Sequence, residues 1–317
     1  MSADAELDSF IVVLDKQLTA VRRAAPDPSA LDPELVIPAL ESVGVLDLAL
    51  DTVELDNSLE WLSSVIRTCA RFSPSIAFAL ASRFAGQRAT RGIGALSPAA
   101  AVAGGDGGAA WRATVPGLFA PQTVVLLNRA EVAARVVTWD VGEIGASVRR
   151  TGLIDADLRT VTDPAAAATE PTLTGEQARI ALFELDLLNA SVGLGLIENA
   201  VATSEDYAAN RRQFGQPVAT FAGLAAILVE MRLRSSIVAG LLTAALGGQR
   251  DGAELVAVTG RAGVEVCLDA IQVHGGYGYI DEYPVAGMLR DAISLRARGG
   301  GRRAAVAAVA AAHLPSR

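Results

Sequence analysis

From Thr174 to about Asn210 the sequence carries an unbroken helical pattern, and at 1.5 Å per residue such a segment makes roughly 50 Å of helix. "TGEQ" opens it as a capping box: the Thr174 hydroxyl can accept from the Gln177 amide while the Gln177 side chain reaches back. The first half, "IALFELDLLNASVGLGLI", is apolar nearly all round. That marks a helix buried on every side, so the rest of the chain must surround it.

The neighbours are legible downstream. A second helix follows Pro217, with Leu224, Ile227, Leu228, Met231, Val238, Leu241 and Leu242 as its stripe, and stops at Gly247-Gly248. A third runs from about Ala253 to Val273 and ends at Gly275-Gly276. A fourth starts at Pro284 and ends at Gly299-Gly300-Gly301, and a short alanine-rich fifth closes the chain. Upstream, "DNSLEWLSSVIRTCARF" and "SPSIAFALASRFAGQRA" read as helices, the second opening on a serine and a proline. Between the helical halves, "TVVLL" (Thr123 to Leu127) and "RVVTW" (Arg135 to Trp139) suggest a small β unit over roughly residues 112 to 170. The expected architecture is mainly α: a helical domain over 1–110, a small β domain over 111–172 and a helical bundle over 173–317.

Composition narrows the function. The 317 residues carry a net charge of −8, which argues against a general affinity for nucleic acid or anionic membrane. The only cysteines, Cys69 and Cys267, form neither a zinc spacing nor a disulfide framework, and Cys267 lies in an apolar helical pattern. The N-terminal "MSADAELDSF" has no signal-peptide character, and runs such as "AAVAAVAAA" are too short to span a bilayer. A cytoplasmic protein is expected. No Rossmann or P-loop glycine motif is read in the sequence: the pattern predicts no strand before "GGDGG", and no lysine follows it.

Two segments at helix ends carry a chemical signal: "YAANRRQFG" (Tyr207 to Gly215) and "QVHGGYGYIDEYP" (Gln272 to Pro284). Helix ends expose unpaired backbone groups, and glycines let a backbone approach an anion closely. Arg211 or Arg212 there would suit a pyrophosphate. The same arginines could simply answer the helix dipole, and Gly-Gly is a common helix stop; spacing alone leaves both open.

The combined pattern Y-A-x-x-R-x-x-F-G, I-Q-x-H-G-G-x-G-Y, E-Y-P and R-D-A resembles the acyl-CoA dehydrogenase family. The resemblance is specific from Thr174 to Asp291, weaker at "FSPSIAFALASRFA" and poor between Ala100 and Pro171. It implies an N-terminal helical domain, a β domain that is reduced here and a C-terminal four-helix bundle, in a tetramer of paired subunits. It further implies that Arg211, Phe214, Gln272, Gly275 and Gly276 contact the ADP half of an FAD held mainly by the neighbouring subunit. His274 stands at a position where a packed, hydrogen-bonded role is expected rather than catalysis.

The chain departs from the family where the chemistry would be. Proton abstraction from an acyl-CoA, with hydride transfer to flavin, needs a carboxylate base. The family's usual position for it, after R-D-A, is Gly299, followed by Gly300 and Gly301. The alternative position, 26 residues before Arg211, is Leu185, and Asp186 stands where a CoA-binding arginine is common. Glu184 is adjacent but would point about 100° away around the helix. Ala222 replaces a usual Gln, and the family's TEPGxGSD-like motif is not recognisable in "GGDGGAAWRATVPG".

The resemblance and its gaps together imply a non-catalytic subunit of a heteromeric, FAD-dependent acyl-CoA dehydrogenase, of α2β2 type. It would have no catalytic residue of its own and would share the FAD with a catalytic partner that binds the acyl-CoA. Actinobacterial enzymes of this kind pair an intact and a degenerate subunit, some acting on steroid side-chain or branched thioesters. The rivals are a self-sufficient flavoenzyme using Glu184 or another carboxylate, a helical scaffold protein, and a flavin monooxygenase on the same fold.

Overall fold

The computed structural model describes residues 3–25, 32–52, 54–91, 93, 95, 97–102, 111–130, 132–138, 146–147, 152–162, 172–298 and 301–314. The N-terminal layer holds α1 (Ala3–Ala24), α2 (Pro33–Ser42), α3 (Leu48–Asp51), α4 (Ser58–Phe72) and α5 (Pro74–Ala89). Ser73 caps α5 by accepting from the Ile76 amide, and Pro74 sits in the first turn, where a missing N–H costs nothing.

Among the described residues seven short strands follow: β1 (Pro98–Val102), β2 (Arg112–Pro116), β3 (Thr123–Asn128), β4 (Ala133–Thr138), β5 (Ala146–Ser147), β6 (Leu158–Thr162) and β7 (Thr172–Leu173). They form one sheet in the order β1-β3-β4-β7 and another in the order β2-β6-β5. β1 runs parallel to β3 with Pro98 opposite Thr123, whereas β3–β4 and β4–β7 are antiparallel. Alternation splits the first sheet between two cores. Val125, Leu127 and Val136 face the helices, while Val124, Leu126 and Val137 pack under the second sheet with Trp111 and Val161.

The strands expected at Thr123 and Arg135 are present as β3 and β4; Trp139 lies outside the described residues. The β unit nevertheless begins at Pro98, earlier than residue 112, because "PAAAV" forms β1. Alanine has little strand propensity, and pairing with β3 decides the conformation.

The bundle is built on α6 (Gly175–Asn210), 36 residues long. Its capping box is complete: the Gln177 amide donates to Thr174 Oγ1 at 3.3 Å, and the Thr174 amide donates to Gln177 Oε1 at 2.8 Å. Leu187, Leu188, Val192, Leu194, Leu196 and Ile197 are fully buried. α6 alone, among the described residues, is long and apolar enough to cross a membrane, longer than the runs considered from sequence; 83% of its most apolar window is buried in the fold, as in a core helix. A Cβ at Gly195 would lie 2.4 Å from the Arg67 carbonyl oxygen, so a glycine is needed for α4 to pack against α6.

A hairpin of β8 (Arg212–Gln213) and β9 (Gln216–Pro217) leads into α7 (Ala222–Leu246), then α8 (Gly252–His274), α9 (Val285–Arg296) and α10 (Gly301–His313). α6 packs against α4, α5, α7 and α8, and α8 against α9 and α10. On α7 the expected stripe turns inward, with Met231, Val238 and Leu242 buried. The opposite face is also apolar: Val229, Leu233 and Ile237, four residues apart, are each more than half exposed. Cys69 and Cys267 are buried thiols, and burial pushes Cys69 up to about 12 and Cys267 higher still.

Candidate cofactor clamp and cavity

The end of α6 and the end of α8 meet. Arg211 caps α6: its amide donates to the Tyr207 carbonyl at 2.8 Å, and its own carbonyl accepts from Val218 at 2.8 Å. The hairpin beyond it turns on Phe214 and Gly215, with φ of +49° and +79°. Two positive φ values define the primed turn that suits a two-residue hairpin. For a phenylalanine that conformation is strained. Phe214 is also 93% exposed, with only an edge contact to Phe221 at 6.3 Å between centroids.

Across from this hairpin, α8 ends at His274, and residues 275–279 form a short 3-10 turn. Gly275 opens the turn at φ +59° and ψ −135°, a region closed to residues with a Cβ. Nothing lies within 4 Å of where a Cβ would stand at Gly275 or Gly276, so both present bare backbone to the outside. Gln272 is exposed on the last turn of α8.

An aromatic cluster joins the two halves. The Tyr207 and His274 rings stack at 4.2 Å and 25°, and Tyr283 meets both edge-on at 5.7 Å. His274 is buried; its Nδ1 is 2.8 Å from the Ala270 carbonyl, which fixes that nitrogen as the protonated one. Burial lowers its pKa, so the ring is neutral at pH 7. This is a packed, hydrogen-bonded histidine. The sequence groups Tyr277 and Tyr283 around the glycines and sets Tyr207 at the head of "YAANRRQFG", but gives none of the three a role of its own.

Away from the clamp, a cavity of about 530 Å³ lies between α5, β1, β2, α6, α8 and α9. Phe78, Ala101, Leu185, Asn189 and Thr259 line it, and Asp186 is the one carboxylate among its described lining residues. Thr259 Oγ1 and Asn189 Oδ1 are buried there without a hydrogen-bond partner among the described residues. Asp186 is held by Arg129 through paired contacts of 2.6 and 2.5 Å. Burial raises its pKa, with Arg129 opposing that shift. Glu184 faces elsewhere: it is buried and takes a 2.7 Å contact from Arg88. Leu185, at the alternative base position, is apolar and lines the cavity. Gly299 and Gly300 lie outside the described residues; Gly301 begins α10, and Ala222 is an exposed first residue of α7.

The groups that fit an FAD are therefore on the clamp: two open glycines, an arginine and an exposed aromatic ring. A helical layer, a small β unit and a helical bundle, with an arginine and a glycine turn at one end, define the acyl-CoA dehydrogenase-type fold. Residues 185–314 match the family "Acyl-CoA dehydrogenase, C-terminal domain". An acyl-CoA dehydrogenase of Bacillus subtilis (strain 168) is 30% identical over 164 residues, covering 47% of this chain and 43% of that protein. The chain thus matches less than half the length of that relative. The fold likeness is broader. The butyryl-CoA dehydrogenase structure from Megasphaera elsdenii superposes with a TM-score of 0.75 at 17% identity, over 98% of each chain. The Tcur3481-Tcur3483 steroid ACAD superposes with a TM-score of 0.76 at 18% identity, over 98% of this chain and 99% of that one. Residues 185–314 thus match the C-terminal domain of acyl-CoA dehydrogenases, and the chain as a whole has their fold.

Proposed function

We propose that this chain is the non-catalytic subunit of a heteromeric FAD-dependent acyl-CoA dehydrogenase, supplying contacts to an FAD seated in a catalytic partner. The observation that carries the reading is a contrast within one molecule. Arg211 and the Gly275-Gly276 backbone face outward with nothing packed over the glycines, whereas the cavity carboxylate is committed to an arginine. Both oxygens of this carboxylate already take an N–H from one guanidinium, so neither is free to be aimed at a substrate proton. Glu184 is buried and takes a contact from Arg88 on one oxygen, which weighs against a self-sufficient enzyme using it.

A bound FAD would supply the acceptor for the hydride that leaves the acyl-CoA β-carbon as a base on the partner takes the α-proton and the α,β double bond forms. This chain's part is recognition: Arg211 answers the pyrophosphate charge, and the Gly275-Gly276 backbone allows close approach of the ADP half. Gln272 and Phe214 complete the clamp. A strained phenylalanine kept in solvent is a surface awaiting something outside the chain. The exposed Val229–Leu233–Ile237 face of α7 supports assembly in the same way. The fold likeness to a steroid ACAD named for two components supports a paired, α2β2 enzyme. On that reading the substrate class is a steroid side-chain or branched acyl-CoA, turned over in the cytoplasm.

The test is purification of the chain alone and, through a tag on it, with whatever enzyme co-purifies from its own cells. We expect the chain alone to lack flavin and turnover, and the complex to be yellow and to reduce a dye on adding acyl-CoA. Full FAD occupancy and thioester oxidation by the chain alone would overturn the reading.

A further inference from the structure

Arg211 is exposed, and no carboxylate lies within ion-pair distance of it among the described residues. Its guanidinium instead lies over the Tyr277 ring, 5.2 Å from the centroid. The two ways of holding an arginine differ chemically. A carboxylate occupies the planar fork of N–H donors, whereas an aromatic face holds the flat surface of the cation and leaves the fork free.

Tyr277 is itself held. Its ring meets Tyr283 at 5.5 Å, and Tyr283 leans on the Tyr207–His274 stack. Tyr207 Oη donates to the His274 carbonyl at 3.3 Å, closing the link between α6 and α8. A Cβ at Gly278 would lie 2.8 Å from the Ile271 carbonyl oxygen, so the turn carrying Tyr277 packs directly onto α8. The Arg211 backbone is fixed as well, leaving its side chain as the part still to be oriented.

We propose that Tyr277 is a positioning residue that presents the Arg211 fork, with its donors unspent, to a diphosphate brought by the partner subunit. The inference rests on the clamp reading above and adds to it the residue that sets the arginine's direction. Such pre-orientation lowers the conformational cost of binding.

The experiment uses the tag-purified complex, stripped of flavin and titrated with FAD while flavin fluorescence is followed. Arg211→Ala weakens FAD binding. Tyr277→Leu weakens it roughly fivefold, the size of one aromatic–cation contact, while Tyr277→Phe stays within about twofold because the ring face remains. The double variant Arg211→Ala/Tyr277→Leu is no weaker than Arg211→Ala alone, since Tyr277 acts through the arginine. Tyr277 is 42% exposed, so its replacement spares the core; Tyr277→Asn supplies the same contrast if the leucine variant does not assemble. Unchanged binding in Tyr277→Leu, equal loss in Tyr277→Phe, or additive loss in the double variant overturns the inference and leaves the clamp standing. Unchanged binding in Arg211→Ala overturns the clamp itself, and this inference with it.

Discussion

Arg129, in the turn after β3, and Asp186, on α6, form a bidentate ion pair with contacts of 2.6 and 2.5 Å, in which Asp186 is buried and Arg129 partly buried. The pair ties the β unit to the bundle across 57 residues of sequence. It also fills the place where the family resemblance leads one to expect a CoA-binding arginine.

Removing one partner strands the other charge in a dry site. Arg129→Ala is expected to cost about 3–5 kcal/mol. Replacing both by leucine should cost far less, because no buried charge remains. Urea unfolding of the three proteins checks this; equal losses in the single and double variants would contradict it.

Glu184 offers a direct trial of the self-sufficient alternative. Glu184→Gln keeps the shape and removes the charge facing Arg88. In the complex, turnover should stay within about twofold of the unsubstituted enzyme, since a general base is typically worth about 10²–10⁴-fold. A loss of that size would make Glu184 the base.

Phe214 trades stability for exposure. Asparagine tolerates a positive φ and gives the Asn-Gly pair that primed hairpins favour. Phe214→Asn should therefore raise the stability of the isolated chain by about 1 kcal/mol while lowering FAD retention in the complex. Thermal melting and flavin content read the two effects separately.

Gly195 is a packing site. Gly195→Ala would push a methyl to 2.4 Å from the Arg67 carbonyl oxygen, and that backbone cannot swing aside as a side chain would. We expect a loss of about 1–3 kcal/mol, seen as a lower melting temperature with unchanged helicity below it.

Asp291 makes stability depend on pH. Burial pushes its carboxyl from 3.8 up to about 6, against the pull of the Leu153 amide. A folded pKa above the unfolded one means the contribution is full below about 3.8 and is lost as pH rises through about 6. The shift corresponds to about 3 kcal/mol at most. Urea midpoints measured from pH 4 to 7.5 should show this fall, and Asp291→Asn should flatten it.

The amino-acid sequence by itself determined what depends on neighbours a few residues away. The capping box of α6, the Ser73-Pro74 start of α5, the stripes of the bundle helices and the glycine stops all follow from periodicity and from backbone groups at helix ends. The positions of Arg211 and of the Gly275-Gly276 turn were legible for the same reason, because each sits at such an end. The tertiary structure decided the rest. Alanine-rich β1 became a strand only by pairing with β3, and Asp186 found Arg129, and Arg211 found Tyr277, only once distant segments had packed. Those choices belong to long-range contacts, whose energies depend on burial and geometry that no local pattern of residues encodes.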